Sequence, residues 1–307
     1  MRDPLIHIGY HKTASSWLQK RLFNNPKAGF WSPWVPGDYY AQFILVNPFE
    51  FCPQRARRAF APELEEAGRR GLVPVLTNEA LSGNQYESGY PSRDTALRLH
   101  AAYPEGRVLL VIREQKSMLR SWYKHHVRAG LAASVDSYLA PAPPRSCFRP
   151  LFQLEFLDYH YLVETYQELF GIDRLLVLPF EQFCHDPAAF LQGICAFAGV
   201  EPLDPVPEAR VVNEGYSALT VALKRRINAL IRADRPRTGP GRSALDRLST
   251  KLFFRFQRAV PPAWHRRFDD RLRDRIDQIV GDRYAGTNRR VCDLTGLDLA
   301  QYGYALS

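Results

Sequence analysis

Apolar residues along this chain fall in short continuous runs separated by longer stretches of helical period. Leu5-Ile6-His7-Ile8 is the first run and Leu72-Val73-Pro74-Val75-Leu76-Thr77 the second, with Pro74 arguing for an edge position or a strand start. Val108-Leu109-Leu110-Val111-Ile112 and Leu175-Leu176-Val177-Leu178 follow. Runs of this length with no polar alternation predict strands buried on both faces. Between them, Gln115 to Arg128, Leu157 to Phe170 and Pro187 to Ala198 read as helices. Gly171 and Gly199 supply C-terminal stops, and Asp186-Pro187 supplies an N-cap followed by proline. Strands alternating with helices predict an α/β fold, a parallel sheet flanked by helices on both faces. Pro141 to Pro150 and Asp234 to Arg242 read as exposed loops. Trp31, Trp34, Tyr39 and Tyr40 fall in a loop-rich stretch that either stacks on a sugar ring or covers the core.

The junction after the first strand carries the chemistry. Gly9-Tyr10-His11-Lys12-Thr13-Ala14-Ser15-Ser16-Trp17 leads from that strand into a helix whose apolar positions are Trp17, Leu18, Leu22 and Phe23. The first amides of a helix lack intrahelical partners, and the dipole there favours negative charge. Ser15 or Ser16 is placed to cap, and Lys12 adds a full positive charge. The junction therefore predicts a P-loop-like anion site. Glu79, preceded by Asn78, follows the second strand, and Arg113 follows the third. In parallel strands these ends meet at one edge of the sheet, where such folds bind ligands. A lysine, a carboxylate and an arginine at an anion loop suit transfer of an anionic group to an acceptor that must lose a proton.

Charge adds a second feature. The net charge of the 307-residue chain is +9, and the segment from Lys224 to Arg275 holds 16 Lys/Arg against 5 Asp/Glu. A local excess points to an anionic ligand or surface, or to a solvated helical face, rather than to nucleic acid. From Leu245, the residues Leu248, Leu252, Phe253 and Phe256 share a helix face flanked by Arg247, Lys251, Arg255 and Arg258. That pattern suits either an anionic membrane surface met through 245–258 or a helix packed on its own domain. The expected organisation is one domain over 1–307 with 233–282 as a helical, Arg-rich insertion. The five cysteines, none spaced as C-x-x-C, argue against a disulfide framework or zinc site and for a cytoplasmic setting. No leader-like or membrane-spanning apolar stretch is read in the sequence.

These residues resemble a known family. The turn His11-Lys12-Thr13-Ala14-Ser15-Ser16-Trp17 looks like the 5′-phosphosulfate loop of sulfotransferases that use 3′-phosphoadenosine 5′-phosphosulfate (PAPS). Arg113 with Ser121, followed by Trp122-Tyr123, resembles that family's 3′-phosphate motif. Asp173 to Phe183 resembles its later strand and turn, Val212 to Ser217 its Asn-containing loop, and Tyr284 to Tyr304 the tail of bacterial members. The resemblance runs from Leu5 to about Asn228 and resumes near Arg283. It implies a PAPS-dependent, carbohydrate-sulfotransferase-like enzyme that requires no metal. Lys12, Thr13, Ala14, Ser15, Ser16 and Trp17 would hold the 5′-phosphosulfate, and Arg113 and Ser121 the 3′-phosphate. Lys12 would stabilise the leaving phosphate. Glu79 would be the general base, with His11, His125 and His126 as rivals. The acceptor implied is a glycan, a glycolipid or a small-molecule alcohol. The family usually has glycine where this chain has Ala14; alanine suits a helical start but not φ > 0, so Ala14 is expected at a helical N-terminal position.

Two other classes are weighed. A nucleotide or small-molecule kinase needs G-x-x-x-x-G-K-[ST], whereas Gly9 stands three residues before Lys12 with no second glycine between them. A non-catalytic anionic-glycan-binding protein would account for the basic segment but not for Glu79 beside the anion loop.

Overall fold

The computed structural model describes residues 2–33, 36–84, 86, 89–141, 152–202, 215–230 and 244–307, with backbone alone at 36 and 244–251. Trp34, most of the Pro141 to Pro150 loop, the Asp234 to Arg242 loop and Val212 to Glu214 lie outside the described residues. The chain forms two compact units. Unit one comprises Met1–Glu114, Glu155–Val212 and Tyr284–Ser307, and unit two Gln115–Leu154 and Asn213–Arg283.

Unit one is built on five parallel strands: β1 (Leu5–His7), β2 (Phe30–Trp31), β3 (Val73–Thr77), β4 (Arg107–Ile112) and β5 (Leu175–Pro179), in the order β2-β3-β1-β4-β5. β1 therefore lies between β3, where Leu5 faces Val75, and β4, where Leu5 faces Arg107. From β1 the chain goes out to the edge strand β2, returns to β3 beside β1, and then crosses to β4 and β5 on the other side. That reversal opens a crevice beyond the carboxyl ends of the strands next to β1.

The continuous apolar runs are explained by burial on both faces. Leu5, Val73, Val75, Leu109, Val111 and Leu178 join one cluster with Trp17, Leu18 and Leu22 and with Phe190, Leu191 and Ile194. Those last three belong to α9 (Pro187–Ala198), which starts with the Asp186 carboxylate accepting from the Ala189 amide at 2.9 Å. Intervening residues Ile6, Leu76, Val108, Leu110 and Ile112 are buried on the opposite face. There α3 (Pro53–Arg69) packs on β3, and α7 (Tyr159–Phe170) packs on β4 and β5.

Three local readings change. β2 comes from a stretch read as loop, because two residues carry no period; Val73 reaches it by donating to the Gly29 carbonyl at 2.8 Å. Pro74 is one residue into β3, a strand with neighbours on both sides; its nitrogen turns toward the β1 side, as that of Asn78 does in donating to the His7 carbonyl, at a level before β1 begins, so no ladder bond is lost. Tyr39, in α2 (Pro36–Tyr39), and Tyr40, which opens the π-helical turn Tyr40–Ile44, are also helical rather than loop. Tyr39 is a core residue; its hydroxyl accepts from the Thr77 amide at 3.0 Å.

Unit two is helical. It contains α5 (Gln115–Arg128), α6 (Val135–Leu139), α10 (Ala218–Leu230), α11 (Ala244–Ala259) and α12 (Pro262–Val280). Aromatic and cationic groups interleave within it. Arg128 lies against the paired rings of Tyr216 and Phe254, at 5.5 and 5.8 Å from their ring centroids. Phe253 is 7% exposed and packs against Tyr216 and Lys224. Among the described residues of α11, the apolar face offered by sequence to a lipid surface is thus occupied at Phe253 by its own unit. The Lys124 ammonium pairs with Asp269, whose carboxylate also accepts from the Ala218 amide at 3.1 Å. Asn228 donates to the carbonyls of Val127 and Leu131 at 2.8 and 2.9 Å and closes the end of α5. No described helix is long and apolar enough to cross a membrane.

Candidate active site

The anion loop leaves β1 still paired with β4: Ile8 donates to the Leu109 carbonyl at 3.0 Å and Tyr10 to that of Val111 at 3.3 Å. It then turns sharply, with Lys12 at φ 72° and Ala14 at φ 64°. Ala14 is therefore left-handed, not the helical start expected of it. It is the N-cap of α1 (Ser15–Trp17), which continues as a π-helical turn over Leu18–Phe23. A non-glycine residue there costs about 1–2 kcal/mol in backbone strain. The serine cap is also absent: no side chain caps this helix, and the Ser15 hydroxyl instead donates to the Tyr10 carbonyl at 3.4 Å. Thr13 donates to the same carbonyl through a shorter bond. Trp17 and Leu18 donate to the Ala14 carbonyl, at 2.8 and 3.0 Å, so the amides before Trp17 form the open end of the helix. Gly9 is required by close approach: a Cβ there would meet His7 Nε2 at 2.6 Å.

Arg113 comes to this loop. Its Nη1 donates to the Lys12 carbonyl at 3.0 Å, its guanidinium lies 4.7 Å from the Phe180 ring centroid, and its own carbonyl accepts from the Tyr159 hydroxyl at 2.6 Å. Ser121, half-buried on α5, belongs to unit two, as do His125 and His126. His126 is buried against Tyr138, ring centroids 5.3 Å apart.

Glu79 comes to the loop as well. It opens the 3-10 turn Glu79–Ser82, fixed by the Asn78 side chain accepting from the Ala80 amide at 2.9 Å. Its Oε1 lies 3.9 Å from His11 Nδ1, with the two side chains 27% and 18% exposed. Burial lowers the pKa of His11 to about 4 against the raising effect of Glu79, with Lys12 lowering it further. His11 is accordingly neutral at neutral pH. For Glu79, burial favours the protonated acid, but His11, a backbone amide and the Gln19 amide outweigh it and hold the carboxyl below its ordinary value.

Three residues of this site escaped the sequence reading: His7, Thr77 and Gln19. His7 and Thr77 are register partners at the carboxyl ends of β1 and β3, with Nδ1 and Oγ1 2.7 Å apart. Gln19 Nε2 donates to Glu79 Oε2 at 3.1 Å and lies 3.4 Å from Thr77 Oγ1. The available signal was a polar residue closing each of two otherwise apolar strands.

A solved sulfotransferase from Alicyclobacillus acidocaldarius matches the chain with a TM-score of 0.51 and 25% identity, over 76% of this chain and 97% of that one. The sulfotransferase family assignment is supported by this likeness. The chain has the sulfotransferase α/β fold, and the likeness supports sulfuryl transfer as the general chemistry of the site. Two further solved domains are similar at lower scores. The sulfotransferase domain of the Synechococcus PCC 7002 olefin synthase gives 0.43 at 14% identity, over 85% of this chain and 98% of that one. The sulfotransferase domain of the curacin biosynthetic pathway gives 0.38 at 11% identity, over 67% and 76%. No family model matches the chain, and no curated protein matches it.

Proposed function

We propose that the chain moves the sulfuryl group of PAPS to an acceptor hydroxyl, most simply that of a carbohydrate or glycolipid. The observation that carries this reading is the meeting of Lys12 and Arg113 on one loop with Glu79 beside it, at the carboxyl end of β1. The residues suit the donor. The open helix end and the Lys12 ammonium match a sulfated phosphate, with Thr13, Ser15, Ser16 and Trp17 supplying the remaining loop. Arg113 would hold the 3′-phosphate with its fork of donors, and Ser121 is its proposed partner.

The chemistry assigned to this chain's groups is short. Glu79 takes the acceptor hydroxyl proton on its carboxylate as the acceptor oxygen forms its bond to sulfur. Lys12 offsets the negative charge that develops as the bond between sulfur and the phosphate oxygen breaks and that oxygen keeps the electron pair. A sulfuryl group carries less charge than a phosphoryl group, so one lysine suffices and no metal is assigned. His11 packs against Glu79 and positions the loop. The free thiols Cys52, Cys184, Cys195 and Cys292 suit a reducing cytoplasmic setting. Transfer of labelled sulfate from PAPS to a panel of glycans, glycolipids and alcohols tests the reading. Turnover that requires ATP and magnesium instead would revive the kinase.

A further inference from the structure

The proposed base is built into a chain of side chains that reaches back under the anion loop. The Gln19 amide nitrogen lies 3.1 Å from Glu79 Oε2 and 3.4 Å from Thr77 Oγ1. Thr77 Oγ1 in turn lies 2.7 Å from His7 Nδ1. His7 and Thr77 are buried, and the His7 ring fills the space where a Gly9 Cβ would sit. Two oxygens facing one end of the Gln19 amide fix which way it points. The opposite orientation would set the amide carbonyl against a carboxylate. Oε2 of Glu79 is thereby engaged, and Oε1 is left on the side of His11.

We infer that Gln19 is a positioning residue for Glu79, holding one carboxylate oxygen so that the other faces the acceptor, and that Thr77 and His7 lock the amide in place. The inference rests on the proposed function in taking Glu79 as the base. It adds a residue outside the loop and strand ends that the sequence singled out. The titratable groups acting on Glu79 are His11 from the loop and His7 from β1; Lys12 adjoins His11, and the Tyr39 hydroxyl is engaged by the Thr77 amide. Gln19 is the uncharged donor among them, so replacing it alters orientation without changing net charge.

The test is Gln19→Met in the full chain, which keeps the length of the side chain and removes its donors. Two readouts are taken: titration of the Glu79 carboxyl by carbon NMR, and the pH profile of sulfate transfer from PAPS. The Glu79 midpoint should rise by about one pH unit, because a donor to the charged form is lost. At neutral pH kcat should fall about 10-fold with KM for PAPS nearly unchanged, the loss expected for one hydrogen bond to a charged group. Gln19→Glu should raise the midpoint further, by placing like charge beside Glu79. If Gln19→Met does not fold, Gln19→Asn, which withdraws the amide by one methylene, must raise the midpoint in the same direction. An unmoved midpoint in whichever variant folds overturns the inference. A shifted midpoint in a protein that transfers no sulfate even as wild type upholds the positioning and removes the catalytic reading instead.

Discussion

The anion loop of unit one and the helices of unit two hold their cations differently. In unit one Lys12 sits at a turn made by two left-handed residues, and Arg113 donates to the loop backbone there while its charge also acts on Glu181. In unit two Lys124 pairs with Asp269, Arg275 pairs with Asp136, and Arg128 lies against a pair of aromatic rings. Strain at Lys12 and Ala14 is held by the bonds of Thr13 and Ser15 to the Tyr10 carbonyl and by strand pairing on both sides of β1. A backbone held in an unfavourable conformation by its surroundings marks a site; cations satisfied within their own fold mark structure. Charge count alone would have chosen unit two.

Substitutions sharpen that contrast. Lys12→Ala should reduce sulfate transfer by about 100-fold or more, since it removes a preorganised donor acting on charge that develops in the transition state. Steady-state rates on a variant with unchanged circular dichroism check this. Glu79→Gln should cost at least about 100-fold in kcat while binding of adenosine 3′,5′-bisphosphate is kept, because it removes proton acceptance at nearly constant shape. Calorimetry alongside kinetics separates the two, and loss of binding would move Glu79 from base to donor contact.

The histidines give a pH signature. Burial lowers His7 and His11 from 6.5 to about 4, with Glu79 opposing it in both. Both folded-state values are depressed, so the folded chain binds fewer protons than the unfolded one across that interval. Stability is complete above pH 6.5 and falls as pH drops toward 4, by up to about 1.4 kcal/mol per pH unit for each histidine. His7→Asn should flatten that slope in denaturant titrations, whereas an unchanged slope would show that His7 is not buried neutral. Lys124→Ala, in unit two, should cost less than about 1 kcal/mol, the range for a partly exposed pair. The smallest effect belongs to Ala14→Gly. Relief of left-handed strain is largely offset by the greater freedom of glycine in the unfolded chain, leaving a change within about 1 kcal/mol by thermal unfolding.

Much of unit one could be read because its strands are buried on both faces and so appear as unbroken apolar runs, while the ligand edge appears as the polar residues that follow them. Lys12, Glu79 and Arg113 were found that way, and the structure brings all three to one loop. What escaped was set by contacts distant in sequence. β2 is two residues long, and it forms where the Gly29 carbonyl meets Val73. Ala14 reads as a helix former, and its left-handed φ is imposed by the turn around it. Gln19 looks like any polar residue on a helix until the fold brings Thr77 and Glu79 to its amide. In unit two the helical period of α11 was legible, but the burial of Phe253 against Tyr216 was not, since the same face would suit a membrane or a neighbouring helix.

The most direct measurement is transfer of labelled sulfate from PAPS by the whole chain, with and without a chelator, across glycan, glycolipid and alcohol acceptors. The account predicts sulfated product from at least one hydroxyl acceptor, undiminished by chelation and lost in Lys12→Ala. Absence of product with every acceptor, together with phosphoryl transfer from ATP that needs magnesium, would contradict it.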